Sequence, residues 1–214
     1  VIIDLSGDVL ARGVRPLAQI AAGEIVNILI EMSEVLLATT RTSDGSFLGI
    51  GLGLPGNFGS FGTHLQAHEA FAGLNGTAIY ESLSVNSKWS VFLENDGTAA
   101  ALGEYLFGNH PDVQTLFLIH IGYGLGGGAV LSGRPYRGVN GNACLPGALF
   151  PYGQPRPTLQ DLESHLTANA LTLAAVEENL SELALRPGPV TEWLDRAADQ
   201  LSLVVRVASG MFDP

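Results

Sequence analysis

The sequence predicts an α/β fold, and three observations support that prediction. Short β-prone runs alternate with helical patterns along the chain, as in folds that cover a sheet with helices. Apolar residues make up 46 % of the 214 residues and charged residues only 14 %, which is ample material for a buried core. The 27 glycines cluster around strand ends, where a backbone turns sharply or approaches a ligand.

The first half of the chain predicts a hairpin, a long helix and a strand before a central loop. Two β-prone runs flank Ser6-Gly7-Asp8 and predict a hairpin over 1–11. Apolar residues spaced by three or four predict a helix over 16–40, with Pro16 in its first turn. The further predictions are a strand over 47–54, a loop over 57–76 and a short helix over 78–84.

In the second half of the chain we predict two strands, one followed by a polar segment and the other by a glycine-rich turn. A strand over 90–93 leads into Glu94-Asn95-Asp96 and an alanine-rich helix over 97–107. A strand over 115–121 is apolar except for His120, which we expect to be a hydrogen-bonded core residue. The remaining predictions are a glycine turn over 122–128, a return strand over 129–131, a loop over 140–157, and helices over 158–179 and 190–212.

Composition and charge exclude several classes of protein. Ten basic against 21 acidic residues give a net charge of −11, which repels phosphate backbones and argues against nucleic-acid binding by this stretch. The single cysteine, Cys144, excludes an internal disulfide framework and a multi-cysteine zinc site, and it fits a reducing, cytoplasmic setting. No apolar run reaches the roughly 18 residues that span a bilayer, so we expect no membrane segment. Because the sequence starts at Val1 and not at an initiator Met, we expect this chain to be a piece of a longer protein.

The segment 94–101 places a carboxylate between a strand and a helix. Open α/β sheets bind ligands at the carboxyl ends of their strands, and a helix N-terminus adds free amides and a partial positive charge. Asp96 is therefore a candidate general base that accepts a proton from a substrate hydroxyl. The alternative, which spacing alone favours, is that Asp96 or Thr98 only caps the helix.

Glycine and histidine patterns give weaker signals. The turn 122–128 could present backbone N–H groups to a phosphate, but a plain glycine hairpin is an equal alternative. In 49–56 the glycines predict close packing by a neighbouring element, and the Pro-Gly end predicts a pocket wall. His64 and His68 lack a set of partner ligands, so no metal site is predicted there.

Segments in order along the chain resemble the ROK family of bacterial sugar kinases and sugar-responsive repressors. Residues 2–11 resemble the family's second and third strands, and residues 49–56 its Gly-Ile-Gly-Leu-Pro-Gly strand. The most specific match is ENDGTAAALGE at 94–104, which resembles the family segment ENDaNAAAlGE. IHIGYGLGGGAVLSGRPYRG at 119–138 is similar to the family's glycine-rich signature.

The resemblance implies an actin-like (ribonuclease H-like) sugar-kinase fold, with two α/β lobes around a cleft in which ATP and a sugar meet. It implies an N-terminal lobe at 1–110 and a C-terminal lobe at 111–214. Both would be incomplete here. The family's first strand with its phosphate loop would precede Val1, and the closing strand and helix would follow Pro214.

The same resemblance implies roles for individual residues. Asp96 falls on the family's catalytic base, and Asn95 on its sugar-contacting Asn, so both are expected at the sugar. Gly122, Gly124 and Gly126 fall on the loop that holds the nucleotide phosphates, so a kinase of this kind would use ATP with Mg²⁺.

Departures from the family pattern fall on the sugar side. Family kinases carry Gly-Glu-Ile-Gly-His, in which Glu contacts the sugar and His contacts sugar and zinc. Here Leu145 and Ala148 take those places, and neither accepts a hydroxyl hydrogen bond or binds zinc. Residues 150–157 replace the cysteine-rich zinc loop, so the zinc site is predicted to be absent. Glu163 keeps a later sugar-contacting Glu, and Tyr123 replaces the usual Thr of the phosphate loop.

Three hypotheses follow for function. The departures favour a sugar-binding effector domain of a ROK transcriptional regulator with a degenerate kinase site. The alternative is an ATP-dependent sugar kinase that phosphorylates a hexose or N-acetylhexosamine hydroxyl with Asp96 as base. The third is a pseudo-enzyme that only forms oligomer contacts. We expect a sugar or sugar phosphate as ligand, a homodimer, no membrane partner, and contact with DNA only through a domain outside this chain.

Overall fold

A computed structural model describes residues 1–17, 20–40, 47–58, 65–67, 74–110, 112–151 and 153–214. Its strands are β1 (Ile2–Ile3), β2 (Val9–Ala11), β3 (Ile50–Leu54), β4 (Gly56–Phe58), β5 (Leu65–Ala67), β6 (Val91–Asn95), β7 (Thr115–Ile121), β8 (Leu125–Leu131) and β9 (Arg134–Pro135). Its α-helices are α1 (Ala22–Thr39), α2 (Gly76–Asn86), α3 (Asp96–Phe107), α4 (Leu159–Ala168), α5 (Leu173–Leu183) and α6 (Pro189–Phe212), and a 3-10 helix spans Pro146–Leu149. The mixture of strands and helices confirms the α/β prediction, although the last three strands precede the last three α-helices without alternation.

The first core forms where α1 and α2 cover a parallel strand pair. β3 pairs with β6 in parallel, from Ile50 opposite Val91 to Leu54 opposite Asn95, so the carboxyl ends of both strands meet at one edge. The shared core of sheet and helices consists of Ile25, Val26, Ile50, Leu52, Ile79 and Leu83. The predicted hairpin over 1–11 is confirmed, because β1 pairs with β2 antiparallel.

The second half of the chain is built on an antiparallel sheet. β7 pairs with β8 along its whole length, and β9 extends the sheet beyond β8. One core cluster joins β8 to α6 through Leu125, Phe150 and Val204. A second cluster, formed by Leu166, Val176 and Val190, holds α4, α5 and α6 together.

Glycines let α3 lie directly on the backbone of β8. A Cβ atom at Gly97 would lie 2.6 Å from the backbone N and O of Gly127, and one at Gly128 would lie 2.7 Å from Cα of Thr98. Such distances are far inside van der Waals contact, so only glycine allows this approach. The contact fixes α3, and the residues at its N-terminus, against the antiparallel sheet.

The long helix begins later than the periodicity predicts. α1 starts at Ala22 rather than at Pro16, and residues 12–17 run outside the helix. Gly13 lies against Met32, where an added Cβ would be 2.8 Å from the methionine methyl. A continuous helix from 16 to 32 would hold its ends about 24 Å apart, so this contact requires the chain to fold back along α1.

Other differences from the predictions have local causes. The predicted loop over 57–76 contains β4 and β5, which pair antiparallel from Gly56 opposite Ala67 to Phe58 opposite Leu65. The predicted helix over 158–179 is two helices, because Ala170 takes a left-handed φ of +58° and Thr172 caps α5. The predicted turn 122–128 is only three residues long, and its later glycines belong to β8.

The close packing predicted for the glycines of 49–56 holds at Gly49, where a Cβ would lie 2.6 Å from the backbone oxygen of Ser90, but not within β3. A Cβ at Gly53 would make an ordinary contact of 3.8 Å with α3, and one at Gly51 would meet nothing within 4 Å. No helix in the described part of the chain combines the length and apolar character needed to cross a bilayer.

Candidate functional site

A cavity of about 390 Å³ opens between the carboxyl ends of the β3–β6 pair and the β7–β8 turn, and its size lies within the range of small-molecule sites. The segment after β3 contributes Pro55 and the first residue of β4, Gly56, as predicted for a pocket wall. The β6–α3 junction contributes Asn95 and Asp96. The other walls come from the β7–β8 turn, the 3-10 helix and residue 156. The cavity therefore gathers most of the residues that the sequence singled out.

Asn95 is the cap of α3. Its side chain is 5 % exposed, its Oδ1 accepts a hydrogen bond of 3.1 Å from Thr98 N, and its Nδ2 donates one of 2.7 Å to Gly56 O. The alternative that Asp96 or Thr98 caps the helix is therefore wrong. Asn95, the last residue of β6, already supplies the side-chain oxygen that accepts the capping hydrogen bond. The second bond ties the end of β6 to the start of β4, directly after β3. The contact of Asn95 with a sugar stays a prediction.

Asp96 is the first residue of α3 and lines the cavity. Its Oδ1 accepts a 2.8 Å hydrogen bond from Gly97 N, and its side chain is half-buried. The helix N-terminus stabilises a negative charge at this position. Because Asn95 performs the capping, the Asp96 carboxylate is available at the cavity wall, as a general base would need to be.

Glu94 anchors the loop after β9 to the site. Its Oε2 lies 2.7 Å from Nε and 2.5 Å from Nη2 of Arg137, and its Oε1 accepts a 3.0 Å bond from Asn95 N. The Glu94 side chain is only 18 % exposed. Both of its oxygens are therefore used to hold neighbouring backbone and the 136–145 loop in place.

The glycines of the family-like signature perform two different tasks. Gly122, Gly124 and Gly126 line the cavity, and Gly122 N donates a 2.9 Å bond to Gly124 O across the turn. Gly127 and Gly128 instead provide the close contact with α3. The predicted role of the first three glycines at nucleotide phosphates stays a prediction.

Tyr123 connects this turn to α4. Its hydroxyl donates a 2.6 Å hydrogen bond to Glu163 Oε2, and Leu159 N donates a 2.8 Å bond to Gly122 O. The hydrogen bond to Glu163, and then the negative charge of that carboxylate, raise the pKa of Tyr123 above its usual 10.0. Glu163 does not line the cavity itself. It contacts the cavity wall only through its hydrogen bond with Tyr123, as far as the described residues show.

Two residues in the wall were missed as functional candidates. His120 is exposed and lines the cavity, so the prediction of a hydrogen-bonded core residue is wrong. It pairs with Gly126 at the end of β7, and a partner without a side chain leaves the imidazole uncovered. Its position as a polar residue one place before the end of an apolar strand, next to a glycine turn, was the available signal. Arg156 also lines the wall and donates a 3.0 Å bond from Nη2 to Phe150 O.

The same wall contains the two apolar residues that were aligned, by resemblance alone, with a sugar-contacting Glu and a zinc-binding His. Leu145 and Ala148 flank the start of the 3-10 helix, and both line the cavity. In the described part of the chain, no group of three or more His, Cys, Asp or Glu side chains could hold a metal ion. His64 and His68 lie outside the described residues.

The fold is that of an actin-like α/β protein. The structure of a ROK hexokinase from Thermus thermophilus superposes with a TM-score of 0.73, at 23 % identity, over 98 % of this chain and 73 % of that one. The structure of a ROK family transcriptional regulator, a homologue of the E. coli MLC protein, gives a TM-score of 0.68 at 22 % identity, over 92 % and 56 % of the two chains.

The chain belongs to the ROK family, whose sequence profile matches residues 1–149. It is also similar to the uncharacterized protein y4fQ of Sinorhizobium fredii (strain NBRC 101917 / NGR234), with 43 % identity over 215 residues. That match covers 100 % of this chain and 55 % of the relative, so the chain spans about half of the relative's length. The family includes both kinases and regulators among these neighbours.

Proposed function

We propose that this chain is the sugar-binding effector domain of a ROK transcriptional regulator, in which the kinase cleft serves as a binding site. The observation that carries the proposal is the cavity wall around the 3-10 helix. Leu145 and Ala148 line it where family kinases place a sugar-contacting Glu and a zinc-binding His. Binding tolerates the loss of these groups better than phosphoryl transfer, which needs the acceptor hydroxyl held in line with the phosphate.

The phosphate side of the cleft supports the same proposal. Tyr123 puts a bulky ring in the turn where the family usually has Thr, and its hydroxyl is engaged by Glu163. A Thr hydroxyl close to the backbone is thereby replaced by one at the end of a ring. An effector domain needs only that a ligand bind its folded states with different affinities, so this change is compatible with sensing.

A sugar kinase is the second candidate, and Asp96 is the observation that favours it. Its carboxylate lines the cavity together with Gly122, Gly124 and Gly126, the arrangement that a base and a phosphate loop require. Gly122 and Gly124 would face the phosphates of ATP, which would supply the transferred phosphoryl group. The fit is incomplete on this chain's own residues, because Tyr123 occupies the turn between those glycines.

An ATP-consumption assay on the full-length protein separates the two candidates. The panel contains hexoses, pentoses and N-acetylhexosamines, and the Asp96→Asn variant is measured beside the parent protein. Since Asn95 rather than Asp96 caps α3, we expect this variant to fold. The effector proposal expects no sugar-dependent turnover, together with stabilisation by at least one sugar. Turnover that the variant loses would contradict it and establish the kinase.

A further inference from the structure

We propose that Arg137 is a positioning residue for the cavity: through its ion pair with Glu94 it holds the β6–α3 junction in the orientation that binds a carbohydrate. Neither Arg137 nor Glu94 lines the cavity, so each acts through the residues that do. The inference rests on the proposed function, because it concerns the same cavity. It adds an ion pair outside the cavity wall on which the affinity for the carbohydrate depends.

A continuous chain of hydrogen bonds leads from Arg137 to the cavity wall. Arg137 donates from Nε and Nη2 to Glu94 Oε2, at 2.7 and 2.5 Å. The other carboxylate oxygen of Glu94 accepts a 3.0 Å bond from Asn95 N. Asn95 in turn caps α3, whose first residue, Asp96, lines the cavity. The guanidinium therefore orients the Glu94 carboxylate directly before the two candidate site residues.

The loop after β9 holds Arg137 itself in place. The carbonyl oxygen of Arg137 accepts a 3.1 Å bond from Ala143 N, which closes the loop over residues 137–143. Gly138 has a left-handed φ of +66°, and a Cβ there would lie 3.1 Å from Ala143 Cβ, so glycine suits this closure. Tyr136 N donates a 2.8 Å bond to Ala129 O in β8. The guanidinium thus extends from backbone that is fixed on both sides.

The same loop leads into the apolar part of the cavity wall. Leu145 lines the cavity two residues after the loop closes. The next residue, Pro146, lies against β8, where a Cβ at Gly127 would be 2.9 Å from the proline Cδ. The Glu94–Arg137 pair therefore joins the segment that supplies Asp96 to the segment that supplies Leu145. Loss of the pair removes this connection between the polar and the apolar parts of the wall.

The exposure of the pair distinguishes a positioning role from a role in overall stability. The Arg137 side chain is 47 % exposed and the Glu94 side chain 18 %. An ion pair with so exposed a partner adds little to the free energy of unfolding. A binding site must be held within roughly 0.5 Å of its productive geometry, so a loosened support reduces ligand affinity first. Without Arg137, the Glu94 carboxylate also repels the carboxylate of Asp96 two residues away.

The test is a double-mutant cycle measured by calorimetric titration of the full-length protein. The probes are glucose, mannose, galactose, xylose and N-acetylglucosamine, and the cycle uses the one that the parent protein binds most tightly. Arg137→Gln and Glu94→Gln should each weaken binding by about tenfold, as expected for residues of one hydrogen-bonded network. The double variant should bind about as weakly as either single variant, because the two residues act as a unit.

Arg137→Lys tests for the rescue that a positioning role requires. An ammonium still pairs with the Glu94 carboxylate, although without the planar fork, so this variant should keep more affinity than Arg137→Gln. The matched control is Arg186→Gln, since Arg186 forms an exposed 2.8 Å ion pair with Glu182 outside the cavity wall. It should leave the affinity unchanged. Urea denaturation without ligand measures the stability of each variant. If Arg137→Gln fails to fold, Arg137→Lys and Glu94→Gln carry the comparison.

The outcomes separate this inference from the proposed function. An unchanged affinity in folded Arg137→Gln overturns the inference, whatever its stability, and leaves the effector proposal standing. Losses that add up in the double variant also overturn it, because only independent residues are additive. Sugar-dependent ATP turnover by the parent protein contradicts the effector proposal alone. Binding of none of the probes by the parent protein overturns the proposed function and this inference together.

Discussion

The hydroxyl of Tyr123 and the carboxylate of Glu163 meet at 2.6 Å across forty positions of sequence. The contact joins the β7–β8 turn to α4, and the 2.8 Å bond from Leu159 N to Gly122 O reinforces it one helical turn away. A residue of the family-like phosphate loop and an expected sugar-contacting glutamate are therefore coupled in this protein.

Tyr123 should make stability fall at alkaline pH. The neutral phenol donates to Glu163, whereas a phenolate would face a like charge, so the folded-state pKa is raised above 10.0. The contribution is fully present below that usual value and is lost as the pH rises through the raised value. We expect the stability difference between the parent protein and Tyr123→Phe to shrink above about pH 10. Urea denaturation across the alkaline range measures it, and a difference independent of pH would refute the contact.

Asn95 should contribute more stability than an ordinary helix cap. Asn95→Ala removes the cap of α3 and leaves Gly56 O without its donor, so we expect a loss of about 2–4 kcal/mol. Asn75 is the matched control, since it caps α2 by a 2.9 Å bond to Ala78 N. Asn75→Ala should cost only about 1 kcal/mol. Equal losses in urea denaturation would show that the link to Gly56 adds nothing.

Two glycines of α3 should respond to alanine in opposite directions. In Gly97→Ala the new Cβ would lie 2.6 Å from the backbone of Gly127, so we expect destabilisation by about 3 kcal/mol. At Gly103 a Cβ meets nothing within 4 Å, and the helix should gain about 0.5–1 kcal/mol. Thermal denaturation of both variants checks the signs. A Gly97→Ala protein as stable as the parent would contradict the close approach of α3 and β8.

Asp161 should hold α4 against α6. Its Oδ2 accepts a 2.7 Å bond from Trp193 Nε1 and a short one from Arg196 Nη2, and its side chain is 20 % exposed. Asp161→Ala leaves both donors without this acceptor, and we expect a loss of about 3 kcal/mol. Glu182→Ala breaks an exposed pair with Arg186 and should cost about 0.5 kcal/mol or less. Similar losses for both in urea denaturation would argue against the role of Asp161.

The sequence predicted elements whose signals are local. β7 has the predicted bounds and α3 begins one residue early, because an apolar run and an alanine-rich segment with a polar start determine them without distant contacts. The start of α1 was mispredicted because Gly13 packs against Met32, and periodicity carries no information on such contacts.

The site residues that belong to a sequence motif were predicted, whereas those that only the tertiary structure brings to the cavity were missed. Asp96, Asn95 and the turn glycines share one cavity, as the strand and turn ends indicated. Arg156 reaches the wall from a segment with no motif, and its place depends on the burial of Phe150. His120 was assigned to the core because its strand is apolar, although its partner Gly126 leaves the ring open.

Ligand-induced stabilisation of the full-length protein tests the central claim, a carbohydrate site at Asp96, most directly. Any ligand that binds the folded state raises the unfolding temperature. The account predicts that at least one carbohydrate of the panel raises it in the parent protein and in the Asn75→Ala control, and that Asp96→Ala abolishes the shift. An unchanged shift in Asp96→Ala would contradict the claim that the cavity at the β6–α3 junction is the binding site.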